Sequence, residues 1–386
     1  MQVCGVICEY NPFHNGHAHH LRALRAATGC DFIVCVMSGH FTQRGHAALL
    51  SKWARAEMAL RSGADAVFEL PTLFAVRDAE RFARGGVGLL SSLGVVTHLG
   101  FGSESGDLSA LYRSARQVVA LDAVRQGLQK GQTLARARGE ASASPSDTPN
   151  DTLAIEYLRS LDALGSGIEP VAIPRAGHGY HDPTLGVLAS ATAIRASIQQ
   201  GTDVSIAMPA PAYALFSRLL KANLYQRGDG LDTPLLALLR TAPPEMLASI
   251  ADVSEGLEHR IARAAQEATS RETLLSLLKC KRYTHARLSR ILTQALLGMT
   301  KPLCNAHPLP TYARLLGFRQ DARPLLAAIR TQATVPIITR AAKYRLTGDP
   351  AFALDLRAGD LWTLGLKDAE ARKGCVDAVH KVIMIP

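Results

Sequence analysis

Residues 9–20 read EYNPFHNGHAHH and set four histidines, His14, His17, His19 and His20, into seven positions behind an Asn-Pro step. Imidazoles this dense can ligate a metal, neutralise a phosphate or decorate a surface. A zinc site normally recruits Cys, Asp or Glu as well and requires neutral, oriented rings. Glu9 offers the one convincing addition and lies on the preceding strand, so no metal ligand set is assigned. The surface reading suits His19 and His20, which are adjacent and follow no pattern. His14-Asn15-Gly16-His17 suits a phosphate site. Gly16 lets backbone and base approach where a Cβ would collide. A helix opening there offers free N–H groups and a positive dipole end. Two imidazoles three apart can donate hydrogen bonds to phosphate oxygens as charge builds up.

A second candidate anion cradle lies far along the chain. ASATAIRASI (189–198) places Ser190 and Thr192 at a helix start, with Arg195 three residues after Thr192. Hydroxyls at a helix N-terminus and a guanidinium one turn on suit phosphate oxygens; the same residues would also make a plain cap with a solvated arginine. Lys52 in SKWAR is either a cation aimed at the site or an exposed helix start. Glu104 in GFGSESGD is either a ribose or metal contact or a turn carboxylate.

These residues need a scaffold, and the first 200 positions supply one by alternating strand and helix signals. VCGVICEY (3–10), DFIVCVMSG (31–39), DAVFEL (65–70), VVTHLGFG (95–102) and EPVAIPR (169–175) are apolar, β-branched runs. Amphipathic stretches such as HAHHLRALRAATG, KWARAEMALRSG and AERFARGGVGLLSSLG separate them. Strands apolar throughout, with helices between, imply an α/β fold with a parallel sheet covered on both faces. Ligands bind such sheets beyond the strands' carboxyl ends, where HNGH falls after the first strand. RGEASASPSDTPN (138–150) reads as a loop. Beyond about residue 205 the texture changes to short helices broken by Pro and Gly. In HARLSRILTQALLG, Leu288, Ile291, Leu292, Ala295 and Leu296 recur at helical spacing and form a core stripe. The expected division is therefore 1–205, nucleotide-binding and catalytic, and 206–386, mainly α-helical.

Charge sharpens that division. The formal net charge is +10 over 386 residues. Residues 1–200 contribute 18 basic against 17 acidic residues, and 201–386 contribute 25 against 16. Over 279–345, 13 cations face one acid, Asp321. Such segregation points to a polyanion partner for the second half. Lys281, Arg282, Arg287 and Arg290 flank the amphipathic helix and are the candidate nucleic-acid contacts. Seven cysteines without a C-x-x-C pair read as reduced thiols of a cytoplasmic protein. No apolar run reaches the length of a membrane span, no secretory signal is expected from the strand-like start MQVCGVICEYNPF, and no stable protein partner can be inferred.

Taken together, HNGH and ATAIR resemble the HIGH-motif nucleotidyltransferases. The longer blocks EYNPFHNGHAHH, VMSGHFTQRG, SKWARAEMALRSGADAVFELP, FGSESGD, ASATAIR and KRYTHARLSRIL are similar to the tRNA(Met) cytidine acetate ligase family, over nearly the whole chain. The resemblance implies a Rossmann-like catalytic domain followed by a helical one. It implies an enzyme that adenylates acetate with ATP and Mg²⁺, then acetylates N4 of the wobble cytidine of elongator tRNA(Met). It assigns the ATP site to Ile7, Cys8, Glu9, Tyr10, Asn11, Pro12, Phe13, His14, Asn15, Gly16, His17 and His20, with Gly102, Asn150 and Arg175; Ser190 and Thr192 join them as the second cradle. The family pattern departs after Asn150, where this chain reads PNDTLAIEY with Asp151 and Ala154 in place of the usual residues. Adenylation by a carboxylate needs positioning and charge stabilisation more than proton transfer, which His14, His17, Lys52 and Arg195 would supply. Two other classes share these motifs: a small-molecule adenylyl- or cytidylyltransferase, and a non-catalytic RNA-binding protein with a retained nucleotide site.

Overall fold

In the computed structural model, which describes residues 1–117, 148–175, 185–254 and 256–386, the run VCGVIC becomes β1 (Val3–Cys8), with neighbours on both sides. It pairs in parallel with β2 (Phe32–Ser38), Val3 opposite Phe32 and Cys8 opposite Met37, and with β4 (His98–Ser103). β3 (Ala66–Leu70) continues the sheet beyond β2, and β5 (Glu169–Pro174) beyond β4, again in parallel. Both faces are covered, which is why these strands read as unbroken apolar runs. Val34, Val36 and Phe68 enter one core with Phe82 and Leu90 of α4 (Ala79–Ser92) and Leu158 of α6 (Pro149–Leu164). Their neighbours Ile33, Cys35 and Val67 enter another, with Leu21 and Leu24 of α1 (Asn15–Thr28) and Met58 of α2 (Lys52–Leu60). Two further helices complete this half in the order α3 (Thr72–Ala75) and α5 (Leu108–Arg116), and α7 (Ala191–Gln199) closes it.

The loop expected over 138–150 falls mostly on 138–147, outside the described residues. Its last positions are helical, because Pro149 sits in the first turn of α6, where a missing N–H costs nothing.

The second half starts as expected and then departs. α8 (Ala210–Lys221) packs on the α1/α2 face. α9 (Asp232–Thr241), α10 (Pro244–Ser249), α11 (Leu257–Glu267), α12 (Arg271–Leu278) and α13 (His285–Leu297) share a separate core that includes Leu288, Ile291, Leu292, Ala295 and Leu296. Past α14 (Lys301–Ala306) the chain returns to the sheet. β6 (Ala313–Arg319) pairs antiparallel with β3, and β7 (Ile337–Ile338) and β8 (Ile383–Ile385) pair parallel with β6. The division at 205 thus marks where the helical layer begins, while one sheet draws strands from both sides of it. ARLLGFR and VIMIP are short and follow basic, helix-rich text, so periodicity alone did not distinguish them from helix.

A buried ionic cluster ties these returning segments down. Lys52 Nζ lies 2.7 Å from both Glu69 oxygens of β3 and 2.8 Å from Asp377 Oδ2 of α18 (Val376–Val379). Arg314 of β6 reaches the same Asp377 oxygen at 2.8 Å, and the Trp53 indole N–H donates to Asp377 Oδ1 at 3.1 Å. Between β6 and β8 also lie α15 (Arg323–Gln332), α16 (Ala341–Tyr344) and α17 (Pro350–Leu364).

Candidate active site

The chain leaves β1 through Tyr10, which adopts a left-handed φ of 47°, and a cis Asn11–Pro12 bond. Arg55 of α2, wholly buried, fixes this exit: its guanidinium donates to the carbonyls of Glu9 (2.6 Å), Ser38 (3.1 Å) and Gly39, joining the ends of β1 and β2. His14 then caps α1. Its Nδ1 accepts the Gly16 N–H at 3.1 Å, and His17 Nδ1 accepts the His14 N–H at 3.3 Å. The two rings stack with centroids 3.7 Å apart. A ring nitrogen that accepts from an amide carries no proton, so in both neutral imidazoles the proton sits on Nε2 and remains available to a ligand. Burial pushes His14 down to about 3, with Arg175 and Arg195 adding to the effect. Burial also drives His17 well below the usual histidine range, with His14 contributing. Two neutral donors are therefore in place before any anion arrives.

Gly16 has a nearer reason than clearance for a base. A Cβ there would stand 2.9 Å from His14 Cε1 and 3.1 Å from Nδ1, so the missing side chain makes room for the stacked ring itself. Asn15 turns away from the ligand side, its Nδ2 donating to the carbonyls of Val187 and Ile206, both at 2.9 Å. Phe13 is core, edge-on to Tyr10, and neither it, Pro12 nor Asn15 lines the cleft described below.

Ile7, Cys8, Glu9, Tyr10, Asn11, His14, Gly16, His17 and His20 do line one cleft of about 2610 Å³, together with Gly102, Asn150, Arg175, Ser190, Thr192 and Arg195. Arg195 donates to the Asn11 carbonyl at 2.6 Å and to Thr192 Oγ1 at 3.2 Å, which brings α7 against the histidine turn. Ser190 caps α7 by accepting from the Ala193 N–H at 3.1 Å. Glu9 Oε1 accepts the Gln43 N–H, and burial raises its carboxyl above the ordinary range. Burial, then Arg175, brings His20 down to about 4.

Glu104 is a turn carboxylate. It accepts the Asn150 side-chain amide and the Asp151 N–H (3.0 Å) at the start of α6. Asp151 reciprocates, accepting the Glu104 N–H at 3.0 Å, the Ser105 N–H at 3.2 Å and the Ser103 hydroxyl. Asp151 therefore braces the turn beside Gly102 and Asn150.

Lys52 does not belong to this site. It is fully buried in the ionic cluster and does not line the cleft, so neither the catalytic role nor the exposed-helix alternative holds. The proposed nucleic-acid contacts divide. Lys281 and Arg282 are exposed, and Arg282 lines the cleft. Arg287 also lines it but donates to Ser254 Oγ at 2.8 Å and packs on the Tyr283 ring. Arg290 lines it too but is nearly buried, with Nε 3.8 Å from Asp252 Oδ2. Residues that motif reading passed over complete the walls: Thr42, Gln43, Arg44 and His46 of the β2–α2 loop, Arg227, and Arg271. The block VMSGHFTQRG pointed to that loop without identifying its role. Among the described residues no group of three His, Cys, Asp or Glu side chains is placed to hold a metal ion, and no helix is long and apolar enough to cross a membrane.

Comparison with known proteins fits this geometry. Residues 1–376 match the family model described as HIGH Nucleotidyl Transferase. A tRNA(Met) cytidine acetate ligase of Thermoanaerobacter sp. (strain X514) is 37% identical over the full length of both chains. That of Syntrophotalea carbinolica is 42% identical over 88% of this chain and 85% of its own. Crystal structures of Thermotoga maritima TmcAL, one apo and one bound with alpha-thio ATP, superpose with a TM-score of 0.93 at 32% identity, covering 100% of both chains. The chain belongs to the HIGH nucleotidyltransferase family, among its tRNA(Met) cytidine acetate ligases.

Proposed function

We propose that this chain is an ATP-dependent ligase that activates acetate as acetyl-adenylate and passes the acetyl group to N4 of the wobble cytidine of elongator tRNA(Met), in the cytoplasm. The carrying observation is the stacked His14–His17 pair, neutral and capped, in a cleft that also reaches Arg282 of the helical layer. An acetate oxygen attacks the α-phosphorus of ATP, the bond to the bridging oxygen breaks and pyrophosphate leaves. N4 of cytidine then attacks the acetyl carbon, the bond to AMP breaks and N4 loses a proton. His14 and His17 donate from Nε2, and Arg195 from its guanidinium, to phosphate oxygens whose charge grows during the first step. Because both imidazoles start neutral, binding the triphosphate raises their proton affinity, which strengthens those bonds where they are needed.

Mg²⁺ would enter with the triphosphate and neutralise its oxygens. Such ions take one or two carboxylates plus phosphate, and Glu9, which lines the cleft beside the histidine turn, would hold it. A small-molecule transferase is disfavoured by the cleft's size, since pockets for small ligands span about 300–1,000 Å³. The helical layer 210–306 is the part we assign to RNA.

The test is direct. Purified protein with ATP, acetate, Mg²⁺ and elongator tRNA(Met) should yield N4-acetylcytidine in digested tRNA by mass spectrometry. Absence of that product, with adenylyl transfer to a small acceptor instead, would replace this reading.

A further inference from the structure

Arg271, at the first position of α12, carries a positive charge that makes no direct side-chain ion pair among the described residues and is offset only at longer range by Asp232. Its Nη2 lies within hydrogen-bonding distance of four neutral oxygens: Gly45 O (2.7 Å), Ser289 O (2.7 Å), Ser289 Oγ (2.9 Å) and Thr293 Oγ1 (3.0 Å). Asp232 accepts the Arg271 backbone N–H at 3.1 Å and makes no ion pair with its side chain. Among the described residues no hydrogen bond engages Nε or Nη1, and neither is an enclosed orphan. The residue lines the large cleft. With Nη2 spent on carbonyls and hydroxyls, Nε and Nη1, which lie on different edges of the guanidinium, are each left to donate a single hydrogen bond to an anion in the cleft. Burial lowers its affinity for its proton to about 10, with the Asp232 charge opposing the shift.

The fold holds this guanidinium in register with the nucleotide end. Gly45 accepts from both Arg271 and Thr293, and its φ of 76° with the Arg290 backbone 2.7 Å from any Cβ admits no side chain. Two residues earlier in the same loop, the Gln43 N–H holds Glu9. Arg271 and Arg195 both disfavour protonation of His46, which burial brings down to about 4. Arg271 therefore stands on the helical wall, with His46 within electrostatic reach of both it and the arginine at the histidine turn.

We propose that Arg271 forms a phosphate subsite of the cleft that takes a phosphodiester of the polynucleotide substrate. This rests on the reading that the chain acts on RNA. The shared chemistry is a phosphate group, which ATP could also supply, so the test carries both ligands. Phenylglyoxal modifies open arginines. Modification of the Arg271 peptide of the native protein, followed by mass spectrometry, should be suppressed by saturating tRNA(Met) and little changed by ATP alone. In parallel, Arg271→Gln, which keeps a donor for Gly45, should lower the slope of log Kd for tRNA against log salt by about one, the loss of one phosphate contact. Thr293→Val, which weakens only the loop anchor, should leave that slope unchanged. Protection by ATP alone would overturn the polynucleotide assignment. A folded Arg271→Gln variant with the wild-type slope, while the native protein still binds tRNA(Met), would overturn the subsite and leave the proposed function standing. If the native protein bound no tRNA at all, the proposed function would fall first, and the subsite with it.

Discussion

Lys52 and Glu69 face each other with Nζ 2.7 Å from both carboxylate oxygens and no solvent exposure on either side chain. The pair joins the helix after β2 to β3, and Asp377 brings in α18. Removing one partner from a buried ion cluster leaves charge uncompensated and costs about 3–5 kcal/mol. Lys52→Met should lower the urea midpoint accordingly. ATP–pyrophosphate exchange per folded molecule should stay near the wild-type value. Lost exchange at unchanged stability would restore a catalytic role to Lys52.

Gly16→Ala tests the histidine stack. Alanine favours helix by about 1 kcal/mol over glycine, so stability should change little, while the new Cβ meets the His14 ring at 2.9 Å. Displacing a positioning group by about 1 Å can cost about 100-fold in rate. Acetate-dependent exchange should therefore fall by roughly that factor while the melting temperature moves by only a few degrees.

The neutral histidines make the ligand-free protein acid-sensitive. His14 falls to about 3, and His20 and His46 to about 4, chiefly by burial, against an ordinary value near 6.5. Their folded-state values are depressed, so the unfolded chain binds more protons below pH 6.5, and stability is full above that pH and declines toward pH 4. Melting temperature measured from pH 8 to 4 should drop across this window, and His14→Asn, which keeps an acceptor for the Gly16 N–H, should flatten the drop.

Arg282, in the turn before α13, and Arg290, within that helix, have opposite fates. Arg282 is exposed, so Arg282→Glu should weaken tRNA binding and its salt dependence while changing stability by less than about 0.5 kcal/mol. Arg290 packs against Asp252 with its side chain 11% exposed, so Arg290→Glu should destabilise by about 3–5 kcal/mol. Equal effects of the two on stability would contradict this distinction.

The local rules carried the first half of the fold. A βα step with His14 and His17 bracketing Gly16 is set by neighbours within a few residues: a cap, a capping partner and a glycine that admits the ring. Ser190 as cap and the stripe from Leu288 to Leu296 are likewise short-range patterns, and both stand where their spacing puts them. Lys52 was misread for the converse reason. Its meaning depends on Glu69, Asp377 and Arg314, whose separations along the chain no periodicity encodes.

What the sequence determined by itself, then, is the chemistry of EYNPFHNGHAHH and ASATAIR and the alternation that builds a parallel sheet around them. What only the tertiary structure decided is which charges are spent inside and which face the cleft. Arg55 and Lys52 went to the scaffold and Arg290 is spent on Asp252 at the cleft wall, while Arg195, Arg271 and Arg282 also line that wall. The physical reason is that a charge's role is fixed by its solvent exposure and by partners tens to hundreds of residues away, and both exist only once β6 and the helical layer have closed against the first sheet strands.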